Sequence, residues 1–409
     1  MNLPAFHRQA APDGLLASLL LAFLATAGLY YVNIMPALIE GLKTGLHFSD
    51  RTAGLAGSFN VYGAVCGALI ATVLVTRLPW RRSACLLLLL LIAMDTLSIF
   101  MRTPAQMLAA RALHGVFGGL LVGFAFSVIA RTARPVRTFG MLLVVQDGLG
   151  GLGVMVLPQL VPAHGTKVLF FALIAFSLVT MLMLPFLAPY PRQGGAREAA
   201  ADADTATVKA LGPVHAAWGP LVLAMAAIFL FQFSNMLLFS YILGLALHYR
   251  LEMAGSAAIV GVSTWVGIIG SLLVMGVGTR FGRVRTVLIA LLLTAIGMWI
   301  LRYSGVPLVY AIANCGTAIT WSFVIPYLLG TCAKLDSSGR AAAFGGFASK
   351  LGLATGPLAG ALLLGNDRYE RLVTIATLGI VACALVALPP AALLDRSEAR
   401  AGKDSGAAS

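Results

Sequence analysis

The sequence predicts an all-α membrane protein with 12 transmembrane helices in two six-helix pseudo-repeat bundles and both termini on the cytoplasmic side. Three observations carry that prediction: the apolar composition, the regular recurrence of long apolar runs, and the placement of arginine and lysine between them. Of 409 residues, 59% are hydrophobic and only 11% charged, with mean hydropathy +0.92. A soluble domain carries about 25% charged residues, and a single soluble core stops growing near 250–300 residues, roughly. Lipid is therefore the expected solvent for most of this chain.

A helix crosses the hydrocarbon core with about 20 apolar residues, more when tilted. Residues 1–14 are too polar for a signal peptide and read as a cytoplasmic N-terminus. The apolar run behind them is kept as the first helix, 15–40. Further runs place helices at 52–76, 83–101, 105–130, 138–161 and 167–189, so that 15–189 forms an N-terminal bundle. The polar, alanine-rich stretch 190–217 reads as a cytoplasmic linker. A C-terminal bundle, 218–394, follows with helices at 218–248, 254–279, 286–303, 307–334, 341–364 and 369–394. The tail 395–409 has no apolar face and is expected to be disordered.

Charge tests the count. With the N-terminus inside, 18 of the 28 Lys and Arg residues fall in inner segments and eight in outer ones. That is the asymmetry of the positive-inside rule, and an odd number of helices would scramble it. The net charge of +13 is thus explained by topology rather than by nucleic acid, and no nucleic-acid partner is expected. The five cysteines are scattered through apolar segments without a C-x-x-C pair, so they indicate neither a metal site nor a disulfide framework.

The two halves match at an offset near 203 residues. Thr76-Arg77-Leu78-Pro79-Trp80-Arg81-Arg82 falls over Thr279-Arg280-Phe281-Gly282-Arg283-Val284-Arg285. Arg137 with Phe139-Gly140 resembles Arg340 with Phe344-Gly345, and Gly148 aligns with Gly352. Duplicated bundles of this kind place a substrate site at mid-depth and move by rocking about it.

On these residues the chain resembles the major facilitator superfamily over 15–395. The loop Gly276-Val277-Gly278-Thr279-Arg280-Phe281-Gly282-Arg283-Val284-Arg285 follows that family's loop pattern, and the first copy keeps Arg77, Arg81 and Arg82. Both copies carry threonine (Thr76, Thr279) where the family has aspartate. Arg111-Ala112-Leu113-His114-Gly115 matches the family's R-x-x-x-G, and Gly352, Gly356, Pro357 and Gly360 carry an antiporter-like pattern in the eleventh helix. The resemblance implies secondary transport by alternating access, with Arg77, Arg81, Arg280, Gly282 and Arg283 in a conformational-switch loop. Uptake symport and efflux antiport both remain open. The implied setting is a bacterial-type inner membrane, and the protein is expected to be a monomer.

A charge at mid-bilayer costs about 2.5–3.5 kcal/mol on insertion scales, so Asp95, Arg111, Asp147 and Lys350 each need a reason. Asp95 lies eight residues before position 103 in the turn joining helices three and four, and Arg111 lies eight after it. Equal distances from a turn give equal depth, about 12 Å at 1.5 Å per residue, so the two can pair. The pair reads either as a static brace or as a proton site sensed by Arg111. Asp147 is the leading candidate for a carboxylate that gains and loses a proton. Lys350, at near-equivalent depth, reads as a hold for an anionic or zwitterionic solute or as a counter-charge to Asp147.

Further candidates for lining a solute path are Tyr30, Asn33, His114, Gln146, Gln232, Asn235, Asn314 and Trp321. Each has the plainer reading of an interhelical hydrogen-bond residue. Tyr30 and Tyr31 lie about 100° apart on a helix and cannot face one cavity together. ATP hydrolysis is not expected, because the only Gly-Lys pair, Gly402-Lys403, precedes aspartate. No H-E-x-x-H sequence or hydrolase constellation occurs, so no enzyme and no cofactor is expected; a proton gradient is the expected energy source. The alternative from another class is a non-transporting receptor on the same fold.

Overall fold

A computed structural model describes residues 9–190, 218–278, 280–335, 340–364 and 368–406. Every regular element among them is a helix. In the first half these are α1 (Leu15–Ala27), α2 (Tyr30–Asn33), α3 (Met35–Leu46), α4 (Asp50–Leu74), α5 (Trp80–Phe100), α6 (Pro104–Ile129), α7 (Pro135–His164) and α8 (Lys167–Met183). The second half has α9 (Trp218–Ser240), α10 (Ile242–His248), α11 (Met253–Val266), α12 (Ile268–Val277), α13 (Arg283–Ile300), α14 (Pro307–Lys334), α15 (Arg340–Leu363) and α16 (Tyr369–Gly406). The chain divides into two compact units, with Glu252–Gly261 grouped with the first unit and Val262 onward with the second.

Ten helices among the described residues are long and apolar enough to cross a membrane. The remaining two expected crossings are α15 and the series α1–α3. The first expected crossing, 15–40, is broken into three pieces and runs on to Leu46. At Gly28 the backbone presses on α6: a Cβ there would lie 2.4 Å from Gly118 O. Pro36 has no N–H to give, which suits the first turn of α3 but not a helix interior. The chain therefore restarts at Met35 after Ile34. In the second unit the break comes at Tyr241 between α9 and α10, where Tyr310 Oη donates to Ile242 O at 3.0 Å. The backbone dihedrals at the two breaks are alike: φ −102° and ψ 19° at Ile34, φ −115° and ψ 14° at Tyr241.

The units repeat one packing scheme. In the first, α4 packs on α6, α1 on α7, α5 on α6 and on α8, and α1 also on α6 and α8. The counterparts in the second are α12 on α14, α9 on α15, α13 on α14 and on α16, and α9 on α14 and α16. The offset of 203 residues found in the sequence thus joins elements with the same partners. At that offset Asp147 of α7 corresponds to Lys350 of α15.

The tightest contact of the first unit is α4 with α6. A Cβ on Gly115 would lie 1.9 Å from Asn60 O, and one on Gly63 would lie 2.2 Å from Ala112 O. Without side chains at these points the two backbones touch, as small residues permit in membrane helices.

The C-terminus departs from expectation. Residues 395–409 read as a disordered tail, yet α16 continues as helix to Gly406. Two carboxylates that look solvated in sequence hold this extension. Asp395 accepts from the backbone N–H groups of Arg283 and Val284, both at 3.0 Å, and so caps α13. Glu398 takes both guanidinium arms of Arg283, at 2.8 and 3.0 Å, and Lys334 Nζ at 2.7 Å. Gly282, at φ +77°, makes the turn that presents these amides.

Candidate proton and solute sites

Arg111 is the largest fully buried side chain of the molecule's described part. Its Nη1 donates to Asp95 Oδ1 at 2.9 Å, and Nη2 donates to Met94 O at 3.4 Å and to Ser98 Oγ. The rings of Tyr31 and Phe170 stand 5.6 and 5.2 Å from its guanidinium carbon. Asp95 is wholly buried, so the α5–α6 hairpin carries a desolvated ion pair with several supporting donors and acceptors.

His114, one turn along α6, completes the cluster. Its Nε2 lies 3.3 Å from Asp95 Oδ2. Asn60 Nδ2 donates to Arg111 O at 3.2 Å and lies 2.8 Å from His114 Nδ1. An amide nitrogen in that position is a donor, so Nδ1 accepts and the ring proton sits on Nε2, facing the carboxylate. Sequence reasoning missed Asn60 and Ser98. The signal for Ser98 was its i+3 spacing from Asp95; Asn60 comes from another helix and gave none.

Asp147 sits in different surroundings. It is half-buried on α7, and among the described residues its carboxylate has no hydrogen-bond or ion-pair partner. Its neighbour Gln146 donates through Nε2 to Asn33 Oδ1 at 2.9 Å, and Asn33 Nδ2 donates back to Gln146 O at 3.4 Å. Tyr30 Oη donates to Leu149 O at 3.4 Å while its ring stacks on Phe176. The short α2, set off by the breaks on either side, thus places Asn33 and Tyr30 against the α7 turn that carries Asp147. Tyr31 faces away, toward His114 and Arg111.

In the second unit, Gln232 of α9 joins two helices. Its Oε1 accepts from Trp321 Nε1 at 2.8 Å, and its Nε2 donates to Ser349 Oγ at 2.9 Å. Ser349, another residue not singled out in the sequence, stands beside Lys350. Lys350 is half-buried and has no ion-pair partner among the described residues. Asn235 and Asn314 turn back on their own helices, donating to Phe231 O and Tyr310 O at 2.9 and 2.8 Å. That satisfies the backbone and leaves them outside the Gln232 cluster.

The loop candidates separate as well. Arg283 is buried and paired with Glu398, while Arg280 is exposed. Arg77 and Arg81 line a cavity in the first unit with Trp80, Arg131 and Tyr190. Thr279 lies outside the described residues. No group of three or more His, Cys, Asp or Glu side chains among the described residues is arranged to hold a metal ion.

Residues 16–274 match the family described as the Major Facilitator Superfamily. Among solved structures, a D-xylose–proton symporter aligns with TM-score 0.71 at 14% identity, covering 91% of this chain and 97% of that one. A nucleoside transporter, NupG, aligns with TM-score 0.68 at 13% identity over 91% and 99%. The xylose transporter XylE from E. coli, in a partially occluded inward-open conformation, aligns with TM-score 0.67 at 16% identity over 90% and 97%. No curated protein sequence matches the chain.

Proposed function

The chain belongs to the Major Facilitator Superfamily, a family of membrane transporters, and we propose that it is a proton-coupled secondary transporter of a small organic solute working by alternating access. The observation that carries the coupling is the contrast between its two intramembrane aspartates. Asp95 is held between Arg111 and His114, and Ser98 accepts from the other arm of Arg111. Asp147 is half-buried and unpartnered among the described residues, next to the Asn33–Gln146 contact. A carboxylate whose charge nothing fixes is the one that can change protonation as its surroundings change. Asp95 is then a brace, and Arg111 and His114 serve it.

In this reading Lys350, next along α15 from the Ser349 that bonds Gln232, contacts the solute, whose anionic or zwitterionic group meets the ammonium. The proton and nucleoside or sugar chemistry in the neighbours' names supports a small organic solute and proton coupling. One carboxylate serves coupled uptake and coupled efflux alike. Twelve crossings with both termini inside an inner membrane fit the arginine distribution.

The test is proton movement in proteoliposomes carrying a trapped pH dye, with solute applied. Asp147→Asn should abolish solute-driven proton flux while Asp95→Asn, if still folded, keeps it. Undiminished flux in Asp147→Asn removes the proposal.

A further inference from the structure

The second unit pairs two basic residues at its α12–α13 end from within the chain: Arg283 and Lys334 converge on Glu398, and Asp395 caps α13. In the first unit Trp80 stands at the position of Arg283, and Arg81 at that of Val284. Arg77, Arg82 and Arg131 stand 203 residues before Arg280, Arg285 and Lys334. At that offset Asp395 and Glu398 correspond to Arg192 and Gly195. Neither acid recurs at its repeat position in the first half.

A cavity of about 360 Å³ occupies this place in the first unit, lined by Arg77, Trp80, Arg81, Arg131, Pro189 and Tyr190 among others. Its walls are built rather than incidental. Trp80 Nε1 donates to Pro189 O at 2.7 Å, and Tyr190 Oη donates to Pro12 O at 2.8 Å. Tyr190 itself adopts φ +41°, a left-handed conformation unusual for a bulky side chain. Arg81 lies over the Trp80 ring with its guanidinium carbon 5.6 Å from the centre. Its Nε and Nη2 are buried and have no hydrogen-bond partner among the described residues. Asp13, a carboxylate at this end, accepts from the Ala133 N–H at 2.8 Å and does not line the cavity.

We propose that this cavity binds a phosphate-type anion, supplied either by an anionic phospholipid headgroup or by free phosphate. Three guanidinium groups on a concave wall match the planar, multidentate recognition of phosphate oxygens. The buried donors of Arg81 have no acceptor among the described residues, and a bound anion would supply them. Basic pockets between helices at the arginine-rich side of a membrane suit anionic headgroups.

The experiment measures the melting temperature of the purified full chain in neutral detergent. Three additions are compared: phosphatidylglycerol, phosphatidylcholine, and inorganic phosphate against chloride at equal ionic strength. A saturable rise with phosphatidylglycerol and none with phosphate assigns the lipid; a rise with phosphate assigns the free anion. Arg81→Gln and Arg131→Gln should each weaken the response about fivefold or more. Arg82→Gln, which removes the same charge outside the cavity, should leave it unchanged. The proposal is overturned if neither anion shifts the melt, or if Arg82→Gln loses as much as Arg81→Gln. Where Arg81→Gln fails to fold, brominated phosphatidylglycerol reads the site in the unaltered chain through quenching of Trp80, taken by difference from Trp80→Phe. Absence of that quenching together with no phosphate response also overturns it.

Discussion

Arg111 Nη1 and Asp95 Oδ1 meet at 2.9 Å across the α5–α6 hairpin, and both side chains are essentially fully buried. A buried pair of this kind contributes little against an apolar replacement, yet removing one partner strands a charge.

Arg111→Met alone should therefore destabilise strongly, by about 3–5 kcal/mol, as should Asp95→Leu alone. The double variant should recover part of that loss. Melting temperatures of the three variants in detergent check this, and purely additive losses would show that the two residues do not act as a pair.

The α4–α6 contact predicts a sharp difference between two glycines. Gly115→Ala brings a methyl against Asn60 O, where 1.9 Å is available, and should cost about 1–3 kcal/mol through backbone displacement. Gly148→Ala, with nothing within 4 Å of the added atom, should leave the melting temperature unchanged or slightly raised. Equal effects of the two substitutions would contradict the packing described.

Truncation after Leu394 removes Asp395 and Glu398 together and leaves the buried Arg283 without its acid. Its melting temperature should fall clearly. Glu398→Gln alone should cost no more than about 1 kcal/mol, since the Glu398 side chain is 46% exposed and such pairs are screened. A truncated chain as stable as the full one would mean that the end of α16 holds nothing.

Solute affinity should respond to Lys350 and to its chain neighbour Ser349. Lys350→Gln should raise the solute concentration needed for half-maximal transport by roughly tenfold, as loss of one charge-assisted contact implies, with proton coupling retained. Ser349→Ala should weaken it less. Initial rates over a solute series in proteoliposomes measure both, and unchanged half-saturation in Lys350→Gln would place the solute elsewhere.

The sequence made the pairing of Asp95 and Arg111 legible because a hairpin turns residue counting into depth. It could not show Asn60, which reaches His114 from another helix, or Ser349, whose role depends on how α9 meets α15. The break before Met35 had a visible cause in Pro36, but apolarity ran straight through it, so the run read as one helix. The C-terminal extension was misread for a related reason. Composition treats Asp395 and Glu398 as solvated charges, and only the return of α16 to the α13 end turns them into a helix cap and an ion pair. The small-residue spacing of Gly63 and Gly115 was present, though no single sequence tells which helices such residues bring together.

Asp147 and Lys350 hold corresponding positions of the repeat with opposite charge, and that has an electrical consequence. With the proton off Asp147 and Lys350 as ammonium, the two positions sum to zero; with the proton on, they sum to +1. In the proposed cycle the membrane voltage acts on the protonated carrier, by about 2.3 kcal/mol per 100 mV for a charge crossing the full field, and hardly on the deprotonated one. A bound monoanion would cancel that charge. The voltage dependence of transport would then report the charge of the solute directly.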